Sequence, residues 1–493
     1  MKKYESKEEV HNLARKIINV PFGELADKYG INLKNTKNSI GDLFEAYFGK
    51  EKDSASEPDL GVAELKATPY KKLKRGSKYS AKERLVLNII NYDELVNETF
   101  EDSHFLHKNK VIELAFYEYF KNKPRDKWFF SNVALFEMSK NPVDYKIIKH
   151  DWEVIYNYVN EGKADKLSES LTNYLSACTK GKNKKSTRPQ PHSNIPAKQR
   201  AFSFKTGYMT QILRKNILGD EDNDAIIKNP IEIKNKSLRE LIIERFEPYI
   251  GKDVISIANE LGIQLKTGEK FSKNLNNMVA RRMLGLSKGN KLDNISELDK
   301  GSFIMKTIQF NARGINKESM SFPKFNYQDL VSQTWENKDG EPKAELNIMF
   351  RESTFIFLVF QYNEKGFNIF KGVKFFQVPE RDIEGPIKHV WEDTVRKLKE
   401  GVKLTYHANR QSVSNNLTSL SDNAIIHVRP HAKKSSYINN SSSNKLPAQA
   451  RWTNWNEARV TNKYPLKVEY MTTSSFWLNN SYIRQAVKSL ITK

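Results

Sequence analysis

The sequence predicts an α/β (α+β) fold built twice in tandem, each copy a mixed central sheet flanked by helices. Three observations carry that prediction. Strand-like runs are bracketed by helix-like ones in the first 215 residues, the pattern of an α/β or α+β core. The chain matches itself at a nearly constant offset. At 493 residues, 38% hydrophobic and 11% aromatic, it exceeds the usual size of one domain and has enough apolar material for more than one core.

Taken in order, residues 6–18 form a helix with Ser6 as its N-cap and Glu9 at the capping-box position. A shorter helix, Phe22–Tyr29, stops at Gly30. A third carries apolar residues at Ile40, Leu43, Phe44, Tyr47 and Phe48 and ends at Gly49. On it Glu45 falls about 60° beyond Phe48, at the rim of the apolar stripe, where a carboxylate can look past the edge of the core. Residues 83–90 and 111–120 read as buried or half-buried strands, and 144–176 as helical.

Between the third helix and these strands lies Pro58-Asp59-Leu60-Gly61-Val62-Ala63-Glu64-Leu65-Lys66-Ala67-Thr68. Strand alternation puts Glu64 and Lys66 on one face and Ala63 and Leu65 on the other, and a turn at Leu60-Gly61 brings Asp59 back beside them. Two carboxylates suit a hard divalent cation such as magnesium, which keeps waters and takes phosphate oxygens as further ligands. The lysine can orient or deprotonate an attacking water, or offset charge on phosphorus. Alone the pattern is weak, because a chain with 59 acidic and 81 basic residues contains such spacings by chance.

A basic loop follows at residues 179–188, with Lys180, Lys182 and Lys184, and can track phosphates or serve as a flexible surface loop. Lys205, Tyr208 and Gln211 then stand among hydrophobics, as contacts to base edges and sugar or as core residues.

The repeat is explicit. Residues 24–34 (ELADKYGINLK) match 256–266 (SIANELGIQLK), 91–96 (NYDELV) match 326–331 (NYQDLV), and 148–153 (IKHDWE) match 387–392 (IKHVWE), at offsets of 232, 235 and 239. The division expected is a first copy over 1–215, a linker over 216–236 and a second copy over 237–493. In the second copy Lys306 falls where Lys66 does and Asp299 where Asp59 does, but Ile304 replaces Glu64 and Arg281 stands opposite Glu45. Without those glutamates it is expected to be catalytically silent. Its basic and aromatic loops, with Arg429 and His431 in one and Trp477 in another, can still bind DNA.

Composition excludes several classes. A net charge of +22 points to a polyanionic partner, most simply nucleic acid. The single cysteine, Cys178, rules out an internal disulfide and a cysteine-based zinc site, and the nine histidines show no HExxH spacing. With no long apolar run and no leader-like start, a cytoplasmic protein without a membrane partner is expected.

These residues carry a resemblance. Residues 58–69 resemble the core of the PD-(D/E)xK nucleases, and the whole chain resembles the GATC-cutting type II restriction endonucleases related to the nicking enzyme MutH. The likeness includes 80–88 (SAKERLVLN), 112–119 (IELAFYEY) and 197–203 (AKQRAFS). It implies tandem MutH-like domains and magnesium-dependent cleavage of duplex DNA at GATC. Asp59 and Glu64 would be metal ligands, Lys66 the catalytic lysine, Glu45 an accessory glutamate, Lys108 a second active-site lysine, and Tyr208 a residue near the adenine of the site. The second copy would bind a further GATC site as effector. A monomer free in solution is expected, cutting both strands through a transient dimer on DNA or in two sequential events. A MutH-like nicking enzyme and a non-catalytic DNA-binding protein are the alternatives. The family has a longer spacing between aspartate and glutamate, so the turn here is tighter.

Overall fold

A computed structural model describes residues 3–33, 39–50, 57–73, 79–120, 123–181, 183, 185–219, 224–265, 274–286, 291–422, 424–432 and 434–491. They form two compact units, and the division by packing is not the division by repeat. The first unit takes Met1–Pro248, Ser272–Met305 and Glu352–Thr354; the second takes Tyr249–Phe271, Lys306–Arg351 and Phe355–Lys493.

The first unit opens with three helices, α1 (Lys7–Ala14), α2 (Phe22–Tyr29) and α3 (Ser39–Tyr47). The Ser6 hydroxyl accepts from the Glu9 N–H as expected, while the Glu9 carboxylate accepts from Glu5 rather than from Ser6. α2 ends on Gly30 at φ 67°, a left-handed conformation in which glycine carries no Cβ penalty. The three helices bury Val10, Ala14, Phe22, Leu25, Leu43 and Phe44 against Leu65, Ala115 and Phe130 of a sheet.

That sheet contains β1 (Glu64–Lys72), β2 (Tyr79–Ala81), β4 (Val111–Glu118) and β5 (Phe130–Glu137) in the order β2-β1-β4-β5, with β3 (Leu85–Ile89) elsewhere. β1 and β4 run parallel and the outer pairs antiparallel, giving the mixed sheet. Between β3 and β4 come two short helices, α4 (Tyr92–Leu95) and α5 (His104–Asn109).

The helical reading of 144–176 holds only in part. Helix α6 (Pro142–Asn160) stops before Gly162 at φ 67°, and strand β6 (Leu175–Thr179) begins at 175. The reason is the fully buried Asp151, whose carboxylate accepts from the backbone N–H groups of Asn173, Tyr174 and Leu175 at 2.8, 2.6 and 3.0 Å. These bonds draw the chain back along the helix, so it cannot continue. A hairpin of β7 (Thr187–Gln190) and β8 (Ser193–Lys198) leads to β9 (Arg200–Phe204), which joins β3 and β6 in a second sheet, and α7 (Thr206–Leu218) closes the first copy. Three later helices also belong to this unit: α8 (Leu238–Phe246), and, past α9 (Val254–Glu260) of the second unit, α10 (Leu275–Met283) and α11 (Ser296–Lys300).

The second unit has its own sheets, among them Met320–Phe325 with Ser474–Leu478 and Ile426–Pro430. It repeats local features of the first. α9 ends before Gly262 at φ 66°, and the Ile263 N–H bonds to the Ala258 carbonyl at 2.8 Å, as Ile31 does to Ala26 at 2.9 Å. Asn326 caps a four-residue helix as Asn91 does, and Tyr327 and Tyr92 are both fully buried. Among the described residues no helix is long and apolar enough to cross a membrane.

Candidate active site

The site lies at the start of β1. There the chain makes a tight turn in which the Gly61 N–H bonds to the Pro58 carbonyl at 2.9 Å, with Gly61 at φ 75°. The turn sends Asp59 back along the strand. Its backbone N–H donates to Glu64 Oε2 and its own Oδ2 accepts from the Leu65 N–H, both at 3.1 Å. The shorter spacing therefore still sets the two carboxylates side by side.

Glu64 is 1% exposed. Lys66, on the same face, places Nζ 2.5 Å from Glu64 Oε1, and Lys108, from α5, lies 3.8 Å from the same oxygen. Burial raises Glu64 above the ordinary carboxylate range and Asp59 adds to the rise, while Lys66 and Lys108 oppose it. Glu45 approaches from α3. It is pushed up to about 7, first by burial and then by Asp59, with Lys66 acting in the opposite direction. Glu45 thus feels the charges of Asp59, Glu64 and Lys66. Sequence reading did not anticipate His107, whose Nε2 lies 2.6 Å from Glu57 Oε2 and ties the start of the turn to the helix carrying Lys108.

Among the described residues no three His, Cys, Asp or Glu side chains close into a ready-made metal cage. The residues present do fit a cation that takes one or two carboxylates and fills its shell with water and phosphate. All the donors are oxygens, and neither Asp59 Oδ1 nor the Glu45 carboxylate hydrogen-bonds to any described residue. Asp59 raises both Glu64 and Glu45, and Glu64 raises Glu45, a repulsion that a bound cation relieves.

The other expected contacts fall into three groups. Lys182 and Lys184 lie outside the described residues, and the Lys180 side chain is half-buried. Lys205 and Tyr208 are corrected. The Lys205 ammonium is fully buried on the carbonyls of Thr172 and Glu352, at 2.5 and 3.1 Å. Tyr208 is 2% exposed, stacks on Tyr174 and hydrogen-bonds to Asp144. Neither side chain meets DNA in this conformation. In the second unit a tyrosine hydroxyl likewise bonds to an aspartate, Tyr482 to Asp382 Oδ2 at 2.7 Å. In the second unit the Arg429 guanidinium stands 4.6 Å over the Trp477 ring, and His431 Nδ1 is 2.7 Å from Ser475 Oγ. Strand pairing of His427 with Trp477 and Arg429 with Ser475 puts this group on one sheet face. Arg281, the counterpart of Glu45, is buried and spends its guanidinium on Asp224 and the Lys291 carbonyl.

Comparison with known proteins agrees with this geometry. The family described as DNA mismatch repair enzyme MutH matches residues 48–151, the stretch from the end of α3 into α6. The type II restriction enzyme Sau3AI of Staphylococcus aureus is 47% identical over the full length of both chains. The mismatch repair protein MutH of Vibrio campbellii is 26% identical over 43% of this chain and 96% of its own, and that of Pasteurella multocida 24% over 44% and 98%. A buried carboxylate between two lysines, a MutH region around it and a full-length restriction-enzyme relative place the chain in the MutH-related family of type II restriction endonucleases.

Proposed function

We propose that the protein cuts both strands of duplex DNA at GATC in a magnesium-dependent hydrolysis at the Asp59–Glu64–Lys66 site. The observation that carries this reading is the convergence of Glu64 with Lys66 and Lys108 at one oxygen, with Asp59 locked alongside by reciprocal bonds. Asp59 and Glu64 would hold the cation, with Glu45 beside them. A divalent cation there supplies positive charge for the phosphate oxygens and lowers the pKa of a bound water. Lys66 and Lys108 stand where an ammonium can orient the attacking water and offset charge growing on the phosphate. The Pro58–Gly61 turn and the parallel register of β1 with β4 hold these groups in place without help from substrate.

On this reading the second copy is silent and binds a further GATC site as effector through the Arg429, His431 and Trp477 face, where an exposed arginine stacked on a half-buried indole can meet a base or phosphate. The protein acts in the cytoplasm, as a monomer until it meets DNA. Digesting plasmids with and without GATC sites, with magnesium or with chelator, tests the reading. The expected product is linear DNA with 5′-phosphate ends at GATC; nicked circles would make it a strand-nicking enzyme, and intact plasmid would remove the nuclease assignment.

A further inference from the structure

β1 bears Glu64 and Lys66 at one end. At its catalytic end, from Glu64 to Pro69, its ladder partner is β4, because β2 pairs only with Tyr70–Lys72. The position of β4 therefore sets that of Glu64 and Lys66. In the middle of β4 sits Glu113, in register with Leu65, the residue between the two catalytic positions. Strand alternation turns the Glu113 side chain to the opposite face, under the helices.

Glu113 is 0% exposed, in a layer otherwise built from apolar residues such as Val10, Ala14, Leu65 and Ala115. Its side-chain partner among the described residues is His11 of α1, whose Nδ1 lies 3.0 and 3.1 Å from the two carboxyl oxygens. Burial raises the acid to about 8 and, with Arg15 and Lys140, lowers the imidazole. An apolar residue would fill this place at no polar cost. A directional bond does what apolar packing does not: it fixes the distance and azimuth of one layer on another. The helical layer held by this bond carries Glu45 on α3, and the strand it grips stands beside the one carrying Glu64 and Lys66.

We infer that His11 and Glu113 are a positioning pair for DNA cleavage, a tie from a half-buried imidazole to a buried carboxyl that sets the helix layer bearing Glu45 against the strand bearing Glu64 and Lys66. The inference rests on the cleavage reading above. It predicts a loss in turnover rather than in DNA affinity, because the pair acts on the reacting groups and lies under the sheet, away from substrate.

Four full-length proteins test it in the magnesium-dependent plasmid assay: wild type, Glu113→Gln, Glu113→Leu and His11→Leu. Glutamine can still bond to His11, and kcat is expected to stay within about twofold of wild type. Leucine keeps the volume and removes the bond; kcat is expected to fall about tenfold or more, as for a small misplacement of reacting groups, with KM for DNA unchanged and a melting temperature no lower than wild type. His11→Leu is expected to match Glu113→Leu in kcat, and it carries the test alone if Glu113→Leu does not fold. Wild-type turnover in either leucine variant, a loss confined to KM, or equal impairment of the glutamine and leucine variants would overturn the inference. Absence of cleavage by the wild type overturns the reading of the site itself, and this inference with it.

Discussion

At the scale of single residues, Glu64 separates catalysis from binding. It is buried and bonded to Lys66, so its removal takes away an expected metal ligand without altering the surface offered to DNA. Glu64→Ala is expected to lower cleavage by about a thousandfold or more while shifting DNA affinity little, read by plasmid digestion beside a gel-shift titration in calcium. Glu113 gives a second, independent readout. Its folded-state pKa, about 8, lies above its ordinary value of 4.5, so the folded protein holds its proton more tightly than the unfolded chain. The stability this contributes is complete below 4.5 and is lost as pH rises toward 8. His11 is lowered and works the other way below its ordinary 6.5, leaving Glu113 alone between about 6.5 and 8. Across that window the pair is expected to cost about 1–2 kcal/mol of stability. Thermal melts at pH 6.5 and 8 should show the slope in the wild type and lose it in Glu113→Gln.

At the scale of elements, what could be read in advance was what neighbouring residues decide. The end of α2 at Gly30, the Asn91 cap and the shared face of Glu64 and Lys66 depend on a few adjacent positions. What could not be read depends on residues far along the chain. The end of α6 is set by Asp151 reaching residues 173–175, and the burial of Lys205 and Tyr208 by Glu352 and Asp144. Nothing in the sequence marks Tyr208 and Asp144 as bonded. The hairpin after α6 shows the same long-range dependence. A Cβ at Gly162 would stand 2.5 Å from the His192 carbonyl, at a φ of 67°. Gly162→Ala is therefore expected to cost about 1–3 kcal/mol, seen as a lower melting temperature with the active-site groups untouched.

At the scale of the whole molecule, the repeat and the packing divide the chain differently, and that governs how the second copy can be tested. Removing residues 237–493 would strip the first unit of α8, α10, α11 and Glu352. Lys300 Nζ would leave Asp144, which it meets at 2.9 and 3.1 Å, and Glu352 would leave Arg84 and the Thr206 N–H. Each buried charge stripped of its partner costs about 3–5 kcal/mol, so residues 1–236 alone are expected to be insoluble or unfolded, checked by expression and circular dichroism. A point change is the cleaner probe of effector binding. In the full chain, cleavage of a one-site plasmid is expected to rise on adding a GATC oligonucleotide, and Arg429→Ala to abolish that rise while leaving unstimulated cleavage within about twofold.

Each unit carries a tyrosine hydroxyl bonded to an aspartate, Tyr208 to Asp144 in the first and Tyr482 to Asp382 in the second. In the first the carboxylate also takes the Lys300 ammonium at 2.9 and 3.1 Å. The Asp144 carboxylate is thus a three-way junction of α6, α7 and α11, and Asp144→Asn is expected to loosen all three helices at once.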